Sequence, residues 1–317
     1  MQGQRLRYAG AIAAMLFSTA FMFIPPLIIS ATIDYVILSD SSGGSGLGRR
    51  IIDLLGGPAF VGANLWLPAA AIVAAVTASG VFLYLRGRWS ATAAESIALN
   101  LRESLYDRLQ HLPCRYHDGA ETGDLVQRCT SDVETIRLFL AMQVVDIGRA
   151  VTQLATVVPI LIVLNGRMAV VSMTFVPVIL VFAAVFFAKI KGTFKRMDES
   201  EGRMTAMLQE NLSGIRVVRA FARQEFENAR FGRANGEYRD RWRRLILTLA
   251  WYWPLSDFLC ISQIALVLMV GGYFVTTGAL TVGMLVAFLS YVMMFLWPLR
   301  QMGRVLSELG KALVSLG

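Results

Sequence analysis

The sequence predicts an all-α membrane protein: six long transmembrane helices with cytoplasmic extensions. Three observations predict it. The first is run length, since residues 65–85 carry no charge and residues 246–299 carry only Asp257. Lipid offers the backbone no hydrogen bonds, so apolar runs of ~20 residues read as spanning helices whose peptide groups pair internally. The second is composition: of 317 residues, 56% are hydrophobic and 16% charged, where a soluble chain carries about 25% charged residues. The third is the one-sidedness of the net charge of +8. Of 30 Lys and Arg, only Arg49, Arg50 and Arg167 fall in the loops after the first, third and fifth apolar segments. Positive charge is retained in the cytoplasm. Both termini and two long basic connections, roughly 86–130 and 189–244, are therefore expected inside.

The elements follow in order. The first helix is expected over about 6–38, kinked by Pro25-Pro26. A Gly/Ser-rich loop over 39–48 and Pro58 separate it from the second, about 61–112. The third spans about 124–164 and ends at the tight turn Asn165-Gly166-Arg167. The fourth spans about 168–213 and the fifth about 226–277. The turn Thr277-Gly278-Ala279-Leu280-Thr281-Val282-Gly283 leads to the sixth, about 280–316.

The basic connections are helical too. Ile97, Leu101, Leu105, Leu109 and Leu112 recur at three to four residues, as do Leu125, Cys129, Val133, Ile136 and Leu140. Met204, Leu208 and Leu212 continue the pattern, then Ile215, Val218, Ala222 and Phe226. Such a stripe marks a helix with one buried and one wet face. A helix over 168–213 is ~69 Å long at ~1.5 Å per residue, against a hydrocarbon core of ~30 Å. The extensions break twice, at 112–123 with Pro113, Gly119 and Gly123, and at Ser213-Gly214. Each break lies at the far tip of a helical hairpin, where a short transverse helix would offer a docking surface.

Other classes fit poorly. No basic block carries the interleaved aromatics of a nucleic-acid surface. Cys114, Cys129 and Cys260 are scattered, with His111 and His117 the only histidines, so no zinc site or disulfide framework is expected. Arg5 and Arg7 precede an apolar run as in a signal peptide, but the run continues to Leu38 without a small-residue cleavage site, which reads as a retained helix.

Polar residues inside a membrane are candidates for function. Asp146 and Arg149 share a helix face, ~22 Å inside the outer turn for Arg149. They either line a cavity or neutralise each other as an intrahelical pair. Asp257, beside Trp251 and Trp253, either faces a cavity or sits at the inner interface with the tryptophans as anchors. Gln153, Gln263 and Thr77 are candidate cavity donors. Met22, Phe23, Met293, Met294 and Phe295 suit a site for varied apolar substrates, or a packed or lipid-facing surface.

At these residues the whole chain resembles the transmembrane domain of an ABC exporter (type IV fold). Leu101-Arg102, Leu105-Tyr106, His111-Leu112-Pro113, Thr122-Gly123-Asp124-Leu125 and Ser131-Asp132-Val133-Glu134 resemble the family's first intracellular loop. The run from Glu210-Asn211-Leu212-Ser213-Gly214 through Ile215-Arg216-Val217-Val218-Arg219-Ala220-Phe221-Ala222, with Glu225 and Phe231, resembles the second. Gly278 to Gly283, Ala287-Phe288 and Pro298-Leu299-Arg300-Gln301 resemble the sixth helix.

The resemblance implies one six-helix domain over 1–317, a homodimer or heterodimer of two such halves, and alternating access driven by ATP. It implies coupling helices at about 113–121 and 214–224 that dock onto nucleotide-binding domains. The first is carried by Arg115, Tyr116, His117, Asp118, Gly119, Glu121, Thr122 and Gly123. The second is carried by Arg216, Val217, Arg219, Ala220, Phe221, Arg223 and Glu225. ATP and magnesium would sit on that domain, because this sequence has no GxxxxGK[ST]. Its only Gly-Lys, Gly310-Lys311, is followed by Ala312 and preceded by Val305 where the first glycine belongs. The chain itself is then no enzyme, and its ATPase is either fused beyond this sequence, the favoured arrangement, or a separate chain. The expected location is the bacterial inner membrane. An ion-gradient transporter and a transport-inactive scaffold of the same fold are the rival readings.

Overall fold

The computed structural model describes residues 5–38, 46–113, 115–116 and 122–314. Among them there is no strand, and six helices are long and apolar enough to cross a membrane: Arg7–Ile37, Trp66–His111, Leu125–Leu164, Gly166–Ser213, Gln224–Thr276 and Val282–Arg300. The described residues fall into two compact units, one built from the chain up to Pro177 and from Ile261 onward, the other from Val178–Cys260.

In the larger unit the first crossing is α1 (Arg5–Met22), α2 (Ile24–Thr32) and a π-helical turn, Ile33–Ile37. The break at Phe23 falls just ahead of Pro25-Pro26, whose missing N–H groups cannot extend the ladder of α1. The freed region is held from elsewhere, as the Tyr291 hydroxyl donates to the Phe23 carbonyl at 2.8 Å. The expected loop over 39–48 is shorter than its composition suggests. Gly46 to Gly48 already belong to α3 (Gly46–Leu54), because Gly48 and Ile52, one turn apart, are both buried. Ile52 packs with Ala31, Tyr35 and Val61, so α3 folds back over the end of the first crossing. A short α4 (Pro58–Ala63) leads to α5 (Trp66–His111), continuous for 46 residues. Here α1 and α5 approach through small residues: the Ser18 hydroxyl donates to the Ser79 carbonyl (3.1 Å) and the Ser79 hydroxyl to the Ser18 carbonyl (2.9 Å).

The third crossing comprises α6 (Thr122–Gln127), α7 (Val133–Leu138) and α8 (Val144–Leu164), joined by π-helical turns at Arg128–Asp132 and Phe139–Gln143. Asn165 caps α9 (Gly166–Met173), its side chain accepting from the Met168 N–H at 3.1 Å. The fourth crossing then breaks before α10 (Val176–Ser213), because Pro177 can donate no hydrogen bond to the turn before it. The last helix, α13 (Val282–Val314), buries a face of Met284, Ala287, Phe288, Tyr291, Val292, Phe295 and Leu299. That three-to-four spacing is a packing stripe.

The smaller unit holds most of α10, a short α11 (Ile215–Ala220) and the first part of α12 (Gln224–Thr276). Tyr252 is its core: it stacks on Phe182 (5.7 Å) and Phe186 (4.5 Å) and meets Phe187 edge-on.

Candidate functional site

The second break forms the expected short helix. After Gly214 the chain turns into α11, and the helix stops in a Schellman arrangement. Arg223 N–H donates to the Val218 carbonyl (3.0 Å) and Ala222 N–H to Arg219 (3.2 Å). This places Ala222 at φ 50°, left-handed backbone that glycine usually supplies. Every residue proposed there is exposed: Arg216, Val217, Arg219, Ala220, Phe221, Arg223 and Glu225. Phe221 is 74% exposed and Val217 60%, and the Arg223 guanidinium lies over the Phe226 ring at 5.9 Å. Leu208, Leu212 and Ile215 of the expected buried stripe are also bare, since no neighbour among the described residues covers them.

Ion pairs lash α10 to α12 below this tip. Arg203 meets Glu237 at 3.0 Å and Arg230 meets Glu210 at 3.2 Å, while Arg241 pairs with Glu237 and donates to the Arg196 carbonyl (2.8 Å).

The first hairpin repeats the scheme in the larger unit. Arg137 binds Glu134 (2.8 Å through Nε) and reaches across to Glu95 on α5 (2.5 Å). Ala93, Ala94, Ala98 and Val133 are buried between the two extensions, and Ile97, Leu101, Leu105 and Leu109 are half-buried as their spacing predicts. At the tip Tyr116 N–H closes a turn onto the Pro113 carbonyl (2.8 Å). Arg115, Tyr116 and Gly123 are exposed, and Thr122 opens α6. His117, Asp118, Gly119 and Glu121 lie outside the described residues.

The intramembrane candidates divide. Asp146 and Arg149 form the intrahelical pair at 3.4 Å, both half-buried. Gln153 is buried and its amide nitrogen points at the Met22 sulfur (3.8 Å). Asp257, Trp251 and Trp253 are exposed on α12, Met293 is exposed and Met294 half-buried. Two candidates are packed inside the protein. Gln263 is 0% exposed. Its oxygen accepts from Phe175 N–H (3.0 Å) and its nitrogen donates to the Val171 carbonyl (3.1 Å), so the amide completes the broken ladder between α9 and α10. Phe295, 1% exposed, belongs to the packed stripe of α13 because it lies one turn from Tyr291 and Val292.

The family is decided by the match of residues 9–299 to the ABC transporter transmembrane region. The chain belongs to that family. This ABC transmembrane domain is similar to the uncharacterised ABC transporter ATP-binding protein YknU of Bacillus subtilis (strain 168), 28% identical over 305 residues, 96% of this chain and 49% of that protein. It is 28% identical over 240 residues to an ATP-dependent lipid A-core flippase of Syntrophus aciditrophicus (strain SB), covering 76% of this chain and 40% of the relative. It is 24% identical over 238 residues to a fatty acid ABC transporter ATP-binding/permease protein of Mycobacterium bovis, covering 75% and 38%. Among solved structures, a bacterial Atm1-family ABC exporter with ATP bound shares the fold, with a TM-score of 0.74 and 20% identity over 98% of this chain and 52% of that one. The chain therefore spans about half or less of the length of these relatives.

Two polar features of the transmembrane domain escape a sequence reading. Asp34, 1% exposed, accepts from the Thr281 hydroxyl (2.6 Å) and Gly283 N–H (2.8 Å), while Thr281 caps Met284 N–H (3.2 Å). A carboxylate thus seals the N-terminus of α13, where the helix dipole favours negative charge. Arg86 and Tyr8 are the second feature. The nearest sequence signal for Asp34 and Arg86 is a lone charge bordering an apolar run.

Proposed function

We propose that this chain is the substrate-translocating half of an ATP-driven exporter. Two six-helix halves assemble, and ATP with magnesium binds a nucleotide-binding domain, fused or separate. Alternating access moves the cargo by rocking packed helices. Both termini face the cytoplasm of a bacterial inner membrane, following the one-sided basic charge. The names of two relatives, a fatty acid transporter and a lipid A-core flippase, favour a lipid-like cargo.

The observation that carries this reading is α11. A short helix at the end of two helices of 38 and 53 residues exposes Phe221 and Val217 among Arg216, Arg219 and Arg223. Large apolar side chains ringed by arginines mark a docking surface, and a nucleotide-binding domain is the partner that would make such levers useful. Below it the interhelix ion pairs stiffen the hairpin, so a push at the tip moves the membrane segments.

The test is transport by the full-length transporter in proteoliposomes, with Arg219→Glu beside the parent. A fluorescent lipid that crosses only with ATP supports the reading, with Arg219→Glu retaining hydrolysis and losing transport. Movement on an ion gradient alone indicates a secondary transporter, and no movement under either condition indicates a scaffold. Unchanged coupling in Arg219→Glu removes the role given to α11.

A further inference from the structure

Most buried polar groups of the larger unit serve the backbone, but one cavity holds two that do not. It lies where α1, α5 and α8 meet, and its volume is about 370 Å³. Ile12, Met15, Val145 and Val151 give it apolar walls, and Tyr8, Arg86 and Thr152 supply its polar lining. The Tyr8 hydroxyl oxygen and Arg86 Nε are shielded from solvent and have no hydrogen-bond partner among the described residues. A guanidinium only donates, and a phenol's hydrogen is its stronger asset, so both groups call for an acceptor. Burying them without one is costly.

Charge and depth narrow the ligand. Arg86 feels the repulsion of Arg149 and the attraction of Asp146, but Asp146 pairs directly with Arg149 at 3.4 Å, so among the described residues no carboxylate is in contact with Arg86. Arg86 is 20 residues beyond Trp66 on the continuous α5, ~30 Å at ~1.5 Å per residue, or about one hydrocarbon thickness. It therefore stands at head-group depth on the positively charged side, with the apolar walls beside it. A guanidinium at such a boundary binds carboxylate or phosphate oxygens through two parallel N–H groups. The volume is at the small end of ligand sites, which suits one chain rather than several.

We propose that the cavity between α1, α5 and α8 binds a single-chain anionic amphiphile from the inner leaflet, its carboxylate or phosphate held by Arg86 and Tyr8 and its chain by the walls around Met15. The site itself does not depend on the transport reading. Only the occupant's fate does, as cargo or as resident lipid.

The experiment is equilibrium binding of tritiated laurate to the full-length transporter in phosphatidylcholine nanodiscs, with laurate methyl ester as the neutral probe. Laurate should bind saturably and the ester at least ~10-fold more weakly, the size of one charge-assisted hydrogen bond. Arg86→Gln should weaken laurate ~10-fold and Tyr8→Phe ~3-fold, with thermal midpoints checked so that misfolding is not read as lost binding. Equal binding of acid and ester to the unaltered protein, which needs no variant, overturns the proposal. So does a folded Arg86→Gln that binds laurate as the parent does. ATP-driven release of laurate identifies cargo, occupancy indifferent to ATP identifies a resident lipid, and both support the site. Acid-selective binding without ATP-driven transport leaves the site standing and sinks the transport reading alone.

Discussion

Replacing Asp34 by alanine should be among the most damaging single changes in the transmembrane domain. Its carboxylate accepts from the Thr281 hydroxyl at 2.6 Å and Gly283 N–H at 2.8 Å, with both ends of the contact buried. Each hydrogen bond to a charged group contributes about 1.5–3 kcal/mol, and alanine also leaves two buried donors unpaired. The loss is then about 3 kcal/mol or more. At about 1.5 °C per kcal/mol for a chain of 317 residues, the Tm should fall by about 4–5 °C. Asp34→Asn keeps one acceptor without the charge, so it should cost about half as much. Gly283→Ala attacks the same contact from the other side. A Cβ there would collide with the Ser30 carbonyl and lie 2.7 Å from the Asp34 carboxyl. Thermal unfolding of the purified transporter, followed by loss of the monodisperse peak on size exclusion, gives the Tm. Adding Thr281→Val to Asp34→Ala should cost much less than Thr281→Val alone, since the pair acts as a unit. A Tm for Asp34→Ala within about 2 °C of the parent, or fully additive effects in the double variant, would refute the assignment.

Two further outcomes follow from the breaks. Ala222→Gly should relieve the left-handed strain at φ 50°, about 1 kcal/mol, and so should slow hydrogen exchange across α11; faster exchange would mean the strain is imaginary. Gln263→Leu strands the Phe175 N–H and the Val171 carbonyl at about 1–3 kcal/mol each, and a Tm lowered by several degrees checks it.

Run length made the crossings legible, because lipid permits few alternatives: the fifth helix, expected at 226–277, runs Gln224–Thr276. The half-buried stripe of Ile97, Leu101, Leu105 and Leu109 was legible for the same kind of reason, since one helix period decides one face. What a residue touches inside lipid was not. Gln263 and Asp146 look alike as polar letters in apolar text, and only the neighbouring helix separates a ladder-completing amide from an ion pair. Asp34 was invisible because its partner Thr281 is 247 positions away, although Thr281 alone reads as a helix N-cap. The helix α3 was hidden by its glycines, which look like loop until Gly48 proves to be a packing position.

The breaks in the larger unit share a logic that bears on motion. A broken helix in lipid must find partners for its backbone, and here a side chain from another crossing supplies each: Tyr291 at Phe23, Gln263 at Phe175, Asp34 at the start of α13. Bending at a break therefore means releasing a neighbour. At Phe23 the release is cheap, one neutral hydrogen bond of about 1 kcal/mol, while the Tyr291 ring stays packed on Phe23 with centroids 5.6 Å apart. Tyr291→Phe keeps that ring and deletes only the hydroxyl. It should leave the fold intact and soften the bend alone, so amides around Phe23 should exchange about 5-fold faster, the factor that corresponds to about 1 kcal/mol. Exchange unchanged at Phe23 would mean that the prolines set the bend unaided and that the hydroxyl merely rests there. Exchange accelerated throughout α1 and α13 would mean that Tyr291 holds the two helices together rather than governing one hinge.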